Sequence, residues 1–216
     1  MDVEKARSSF EAIKKKAIEK WQSLTDENSS YIMVGAATCG KSAGALEIYD
    51  SFAETLEKHQ IDAHLMKVGC MGHCYAEPMA VLKKPGYPLS LYGNLNPIIA
   101  SNLAKRLFME DDPYFEVFLG ALEENDMFPT MSEMPRFGLE KRRILKKCGL
   151  IDPRNIHHAI ANEAYGGFIN ALGYDGDELI EVLKRSGLRG LGGAGFPAWK
   201  LSLIHISEPT RPLYIS

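Results

Sequence analysis

Two groups of residues in this 216-residue chain have types and spacings that could do chemistry. The first is Gly187-Leu188-Arg189-Gly190-Leu191-Gly192-Gly193-Ala194-Gly195, five glycines within nine residues. Glycine permits positive φ and leaves the backbone N–H bare, so such a loop can form an anion nest suited to phosphate. Arg189 can add a charge-assisted contact. No Lys-Ser or Lys-Thr follows, which excludes the G-x-x-x-x-G-K-[ST] phosphate loop. Gly190 to Gly195 fits G-x-G-x-x-G, but a helical pattern precedes it where the dinucleotide fold needs a strand. On physical grounds alone, nucleotide cradling and a flexible linker are the two readings.

The second group is the thiols Cys39, Cys70 and Cys74, with Cys148 further on. Thiolates bind metals and exchange disulfides. The N-terminus, MDVEKARSSFEAIKKK, is charged and has no apolar secretory region. The cysteines are therefore expected in a reducing, cytoplasmic setting, as ligands or redox groups. Cys148 reads as a small buried thiol. His157 and His158 are adjacent on a predicted helix and diverge. No hydrolase triad can be assembled, and no side chain is expected to serve as a catalytic acid or base.

The elements that must position these groups follow from periodicity. Val3, Ala6, Phe10, Ile13, Ala17, Trp21 and Leu24 mark an amphipathic helix within residues 1–28. Residues 29–110 then alternate: a strand at Tyr31–Val34, a helix over 42–58, and a strand at Ala63–Val68. A hairpin of Met79–Leu82 and Leu89–Tyr92 turns at Lys84-Pro85-Gly86. A last helix, Ile98–Met109, has Pro97 at its first position and Asn96 as cap. This order predicts an α/β fold, a small sandwich of the thioredoxin type. In such a sheet the loop carrying Cys39 and the loop carrying Cys70 and Cys74 fall at one end, so the three thiols can converge.

Residues 111–142, with Pro113, Pro129 and Pro135, read as a connector whose aromatics pack on a neighbouring surface. A helical region follows, with helices expected at Ile156–Leu172 and Asp177–Ser186, the latter starting near Asp175 or Asp177. The balance of 25 Lys+Arg against 28 Asp+Glu excludes a basic field for nucleic acid. No run of about 18 apolar residues suggests a membrane span.

Ser186 to Pro197, S-G-L-R-G-L-G-G-A-G-F-P, is similar to the signature of the NADH-binding flavoprotein subunits of respiratory complex I and related hydrogenases. Arg143-Ile144-Leu145-Lys146-Lys147-Cys148-Gly149-Leu150-Ile151-Asp152-Pro153 resembles the same family's upstream R-I-x-L-x-x-C-G-x-I-D-P. The resemblance implies that residues 143–200 are the α-helical start of an FMN- and NADH-binding domain. It implies cofactor contacts from Arg189, Gly190, Gly192, Gly193, Ala194, Gly195, Phe196 and Lys200. Leu191 stands where a second arginine is frequent. Pro197-Ala198-Trp199-Lys200 departs from the common P-T-G-L-K-W, which loosens the placement of Lys200.

The cysteines resemble the thioredoxin-like [2Fe-2S] ferredoxin domain, with ligands C-x4-C…C-x3-C. That resemblance implies Cys39, Cys70 and Cys74 as metal ligands. The first ligand position falls on Val34, which cannot bind iron, so cluster binding and its absence both stay open. His73 reads as a substitute ligand or an exposed loop histidine. Residues 201–216 resemble sequencing read-through, so the chain is expected to be an N-terminal fragment, with any [4Fe-4S] centre in the missing part. The expected parent oxidises NADH through FMN and iron–sulfur centres toward a quinone or other acceptor, within a complex I-like or hydrogenase-like assembly. Its location is cytoplasmic, with peripheral attachment to the inner face of the membrane through partner subunits also open. A cluster-free docking module and a free-standing thioredoxin-like redox protein are the alternatives.

Overall fold

The computed structural model describes residues 2–134 and 137–207, with side chains through Leu203. The chain forms two compact units: Ala12–Ala164, and Met1–Glu11 together with the chain from Tyr165 onward.

The larger unit is an α/β domain built on a five-stranded sheet of order β2-β1-β3-β4-β5. Strand β1 (Tyr31–Gly35) pairs parallel with β2 (His64–Val68), from Tyr31↔His64 to Gly35↔Val68. On its other side β1 pairs antiparallel with β3 (Ala80–Lys83), which pairs antiparallel with β4 (Ser90–Tyr92). The period of two in side-chain direction separates two cores. Ile32, Val34, Ala80, Leu82 and Tyr92 point to one face, where helices α3 (Ala45–His59) and α4 (Pro97–Glu110) lay down Ile48, Phe52, Leu103 and Leu107. Tyr31, Met33, Val81 and Leu91 point to the other, against Met71, Ala76, Met79 and Met131. This is the thioredoxin-type arrangement expected from the order of elements.

Three differences from the sequence reading have local causes. The helix expected over 42–58 begins only after Gly44, at α3, because Gly44 takes φ 105°, and a short helix α2 (Thr38–Ser42) precedes it where the sequence reading had a loop. Cys39 therefore sits in the first turn of α2 and not in an open loop. The helix expected at Ile156–Leu172 is split into α5 (Ile156–Ala161) and α6 (Gly166–Ala171), with Glu163 and Tyr165 in left-handed conformations between them. The third difference is β5 (Phe118–Ala121), which pairs antiparallel with β4 and carries the sheet past residue 110 into the expected connector. Its four residues include Gly120 at φ 153°, too short and irregular a run to show alternation. The connector's aromatics do pack: Phe118 meets Tyr92 at 5.6 Å and Phe128 at 5.6 Å between ring centroids. Pro135 lies outside the described residues.

Helix α1 (Val3–Thr25) spans the predicted amphipathic stretch, burying Phe10 and Ala17. Asn96 caps α4 by accepting from the Ile99 amide at 2.9 Å, a contact worth about 1 kcal/mol. In the smaller unit, Asp175 caps α7 (Gly176–Ser186) in a reciprocal box with Glu178, and Gly187 ends it at φ 66°. Helix α8 (Ala198–Ser207) extends into the segment read as non-native; residues 208–216 lie outside the described residues. Among the described residues no helix is long and apolar enough to cross a membrane.

Phe52 is fully buried under the sheet. Phe52→Ala is expected to cost about 3–5 kcal/mol, read as a lower urea midpoint. The buried His158 packs edge-on to Trp21 at 4.8 Å, and its Nδ1 accepts from the Asp152 amide. Burial, with His157 beside it, holds its pKa below the ordinary histidine range, against the opposing pull of Asp152. The unfolded chain thus takes up this proton first, and the stability is present above about pH 6.5 and lost as the pH falls below it. The urea midpoint is expected to drop between about pH 7 and pH 5, and to drop less in His158→Gln.

Candidate functional site

Because β1 and β2 run parallel, both deliver their chains to the same end of the sheet, and antiparallel β3 begins there. Backbone bonds tie the three together: Gly35 N donates to Met79 O at 3.0 Å and Ala36 N to Val68 O at 2.9 Å. Gly40 of α2 sits on the end of β1, where an added Cβ would lie 2.2 Å from Gly35 O. Cys39 and the Cys70–Cys74 loop therefore meet. Cys74 is within hydrogen-bonding reach of both Cys39 and Cys70. All three are free thiols, with Cys39 and Cys74 exposed and Cys70 half-buried. The Cys39 thiol, as hydrogen-bond partner and as neighbouring charge, pushes the Cys74 pKa up, with smaller contributions from burial and Glu77 against a lowering bond to Cys70. The Gly72 amide, in a backbone at φ +90°, donates to Cys70 Sγ at 3.3 Å.

The Cys70–Cys74 loop is braced from outside. Arg142 donates through Nη1 to Met71 O at 3.0 Å and through Nη2 to His73 Nε2 at 2.9 Å, and its Nε pairs with Glu140 at 2.8 Å. Since guanidinium only donates, His73 Nε2 is the unprotonated acceptor. Phe137 covers the His73 ring at 3.6 Å between centroids. His73 is 6% exposed, not the exposed loop residue of the sequence reading, and its Nε2 is engaged away from any ligand role. Burial first, and Arg142 second, hold its pKa low. Gly149, at φ +80°, packs so closely on Met71 that an added Cβ would come within 2.7 Å of it. Cys148 is exposed rather than buried, because this close backbone packing leaves its side chain outside. It lines a cavity of about 440 Å³ with His73, Met131, Phe137 and Arg142.

Glu77 was not singled out from sequence. It closes the single 3-10 turn Cys74–Ala76, three residues after Cys74, and residues at that spacing share a side. Its Oε2 accepts from Met79 N at 3.1 Å, while its Oε1 is buried without a hydrogen-bond partner. Burial pushes its pKa up, partly offset by the Met79 amide.

A [2Fe-2S] centre needs four donors. Val34 is fully buried among Ile32, Ile48 and Phe52 on the far face of β1, so no side chain at that position reaches the thiols. No hydrogen bond ties Cys148 to the other three. A four-thiolate set therefore does not fit these residues. Among the described residues, no group of three or more His, Cys, Asp or Glu could hold a metal ion.

The glycine loop lies in the smaller unit. Arg189 pairs with Pro197 across an isolated antiparallel bridge, Gly190 N donates to Phe196 O at 2.9 Å, and Ala198 N to Leu188 O at 3.0 Å. Within that closed base, the amides of Gly192, Gly193, Ala194 and Gly195 donate no hydrogen bond to described residues. Added Cβ atoms at Gly192, Gly193 and Gly195 would meet nothing within 4 Å, so it is an open, exposed arch. Gly193 and Gly195 need their glycines for φ values of 105° and 60°. Phe196 is half-exposed, and Lys200 Nζ lies 5.5 Å from the Trp199 ring.

Fold and site together define a thioredoxin-type α/β domain with three thiols at its strand ends, in a chain that also carries a glycine arch. No family model matches the chain. It is 44% identical over 61 residues to the NADP-reducing hydrogenase subunit HndC of Solidesulfovibrio fructosivorans, a match spanning 27% of this chain and 12% of that subunit's length. It is 28% identical over 107 residues to subunit HndB of the same organism, spanning 49% of this chain and 85% of the subunit. At a coarse level, then, the chain is similar to subunits of an NAD(P)-linked hydrogenase. Among solved structures it is similar to a thioredoxin-like [2Fe-2S] ferredoxin from Aquifex aeolicus, at 16% identity and TM-score 0.39, covering 47% of this chain and 99% of that one. A second structure of that ferredoxin gives TM-score 0.38.

Arg142→Ala removes three hydrogen bonds and leaves the His73 and Met71 acceptors unpaired. It is expected to lower stability by about 1–3 kcal/mol. It should also speed alkylation of Cys70, followed by peptide mass spectrometry.

Proposed function

We propose that this chain is the N-terminal portion of an NAD(P)H-linked electron-transfer oxidoreductase. The thioredoxin-type domain would be its iron–sulfur module, and residues 143–200 the start of its FMN- and NADH-binding part. The observation that carries the reading is the meeting of Cys39, Cys70 and Cys74 at one sheet end, in a chain that also bears the open arch of Gly190–Gly195. Bare amides of Gly192, Gly193, Ala194 and Gly195 suit phosphate oxygens, with Arg189 supplying the countercharge. Phe196 and Lys200 would border the same ligand. FMN, when bound, supplies hydride acceptance from NADH and release of single electrons. The protein's part is to bind and orient, without an acid or base.

The relatives' descriptions support partners of the hydrogenase-subunit kind; a cytoplasmic location and a quinone, hydrogenase centre or other acceptor downstream belong to the same proposal. A second reading, a docking module without a cluster, is favoured by the missing fourth thiolate.

Anaerobic reconstitution of the full chain with ferrous iron and sulfide separates the two: about two irons per chain supports the redox module, and none supports docking. The nucleotide half is tested by FMN and NADH titration. Arg189→Ala is expected to weaken binding about tenfold, the loss of one charge-assisted contact. As only the start of that part, residues 143–200 are expected to bind weakly, and binding unchanged in Arg189→Ala would remove that half.

A further inference from the structure

We propose that Cys39 and Cys74 form a reversible disulfide by exchange with a disulfide-bonded thiol compound, which makes this sheet end a two-electron thiol switch. Cys70 stays reduced beside the bridge. The inference goes beyond the iron–sulfur reading and stands without it, since the exchange needs no metal.

The fold places the pair. Parallel β1 and β2 open at one end of the sheet, and there the turn of Cys39 meets the Cys70–Cys74 loop. Cys74 is within hydrogen-bonding reach of Cys39 as well as Cys70, and all three are free thiols. Thiols already in contact can be joined by side-chain rotation, without the backbone movement that distant cysteines need.

Exposure and bracing select which two are joined. Exchange runs through a thiolate attacking a disulfide sulfur, so the attacking and the resolving thiol must both be reachable. Cys39 and Cys74 are exposed. Cys70 is half-buried, and its Sγ accepts from the Gly72 amide at 3.3 Å. Arg142 pins the loop between Cys70 and Cys74 at Met71 and His73. A bridge within that loop would work against those bonds, whereas Cys39 approaches Cys74 from another element, α2.

The exchange balances. Cys39, as thiolate, attacks one sulfur of a disulfide RSSR; the bond between the two sulfurs breaks, RS⁻ leaves, and a mixed disulfide of Cys39 with R forms. Cys74, as thiolate, attacks the Cys39 sulfur, and a second RS⁻ leaves as the bridge closes. The two cysteines give up two electrons to RSSR, and their two protons pass to the two RS⁻. Excess RSH reverses both steps. In a reducing compartment such a bridge is transient, the usual character of redox-sensing disulfides there.

The test treats the full chain, free of iron, with excess oxidised glutathione, then alkylates, digests and maps the peptides by mass spectrometry. A Cys39–Cys74 link is expected, with Cys70 alkylated, and dithiothreitol should return both cysteines to alkylation. Cys70→Ser is expected to keep the link and Cys39→Ser to lose it. The urea midpoints of the reduced variants serve as the folding control. A Cys70–Cys74 link in place of Cys39–Cys74, loss of the link in Cys70→Ser, or full alkylation of Cys39 and Cys74 after oxidation would each overturn the inference. Iron uptake by the reduced chain is a separate readout, so the iron–sulfur reading and the switch can fail independently.

Discussion

Parallel pairing of β1 with β2 is the constraint on which the rest of the thiol site depends. Two parallel neighbours must end at the same edge of a sheet, so the turn after each opens on the same side. Cys39 and the Cys70–Cys74 pair are far apart in sequence and meet only because of that registration. The antiparallel return of β3 brings Glu77 and Met79 to the same end. Strand burial secures the register, since a slip by one residue would turn Ile32 and Val34 away from α3 and α4.

The loop of Cys70–Cys74 is not held by the sheet alone. Phe137, Arg142 and Gly149 come from chain well beyond α4, and they fasten the loop through a ring contact, two guanidinium bonds and a backbone packing contact. The segment that resembles the opening of a flavoprotein domain thus makes contact with the thiol end in the larger unit. Its cysteine lies outward, and its glycine is the residue that packs.

Much of the fold was legible because periodicity and capping are local. The strand at Tyr31, the hairpin around Pro85-Gly86, and the α4 start at Asn96-Pro97 each carry their own signal. What stayed hidden was set by distant contacts or by single backbone angles. Strand β5 exists because β4 offers an edge, while Gly44 delays the start of one expected helix and Tyr165 interrupts another. At the site, the cysteine spacing was readable. Glu77 was not, since an acidic residue before proline gives no sign of burial until the turn that buries it is seen. His73 was misread for the same reason: its cover, Phe137, lies outside the domain's strand-and-helix pattern.

Contact between Gly40 and the carbonyl of Gly35 has an implication for how the domain can vary. Main chain resting on main chain fixes where the Cys39 backbone stands, without the help of the side chains on the outer face of α2. Lys41 and Ser42 are exposed and can change freely, so the outer skin of this end can be remodelled to suit a different acceptor without disturbing the backbone beneath.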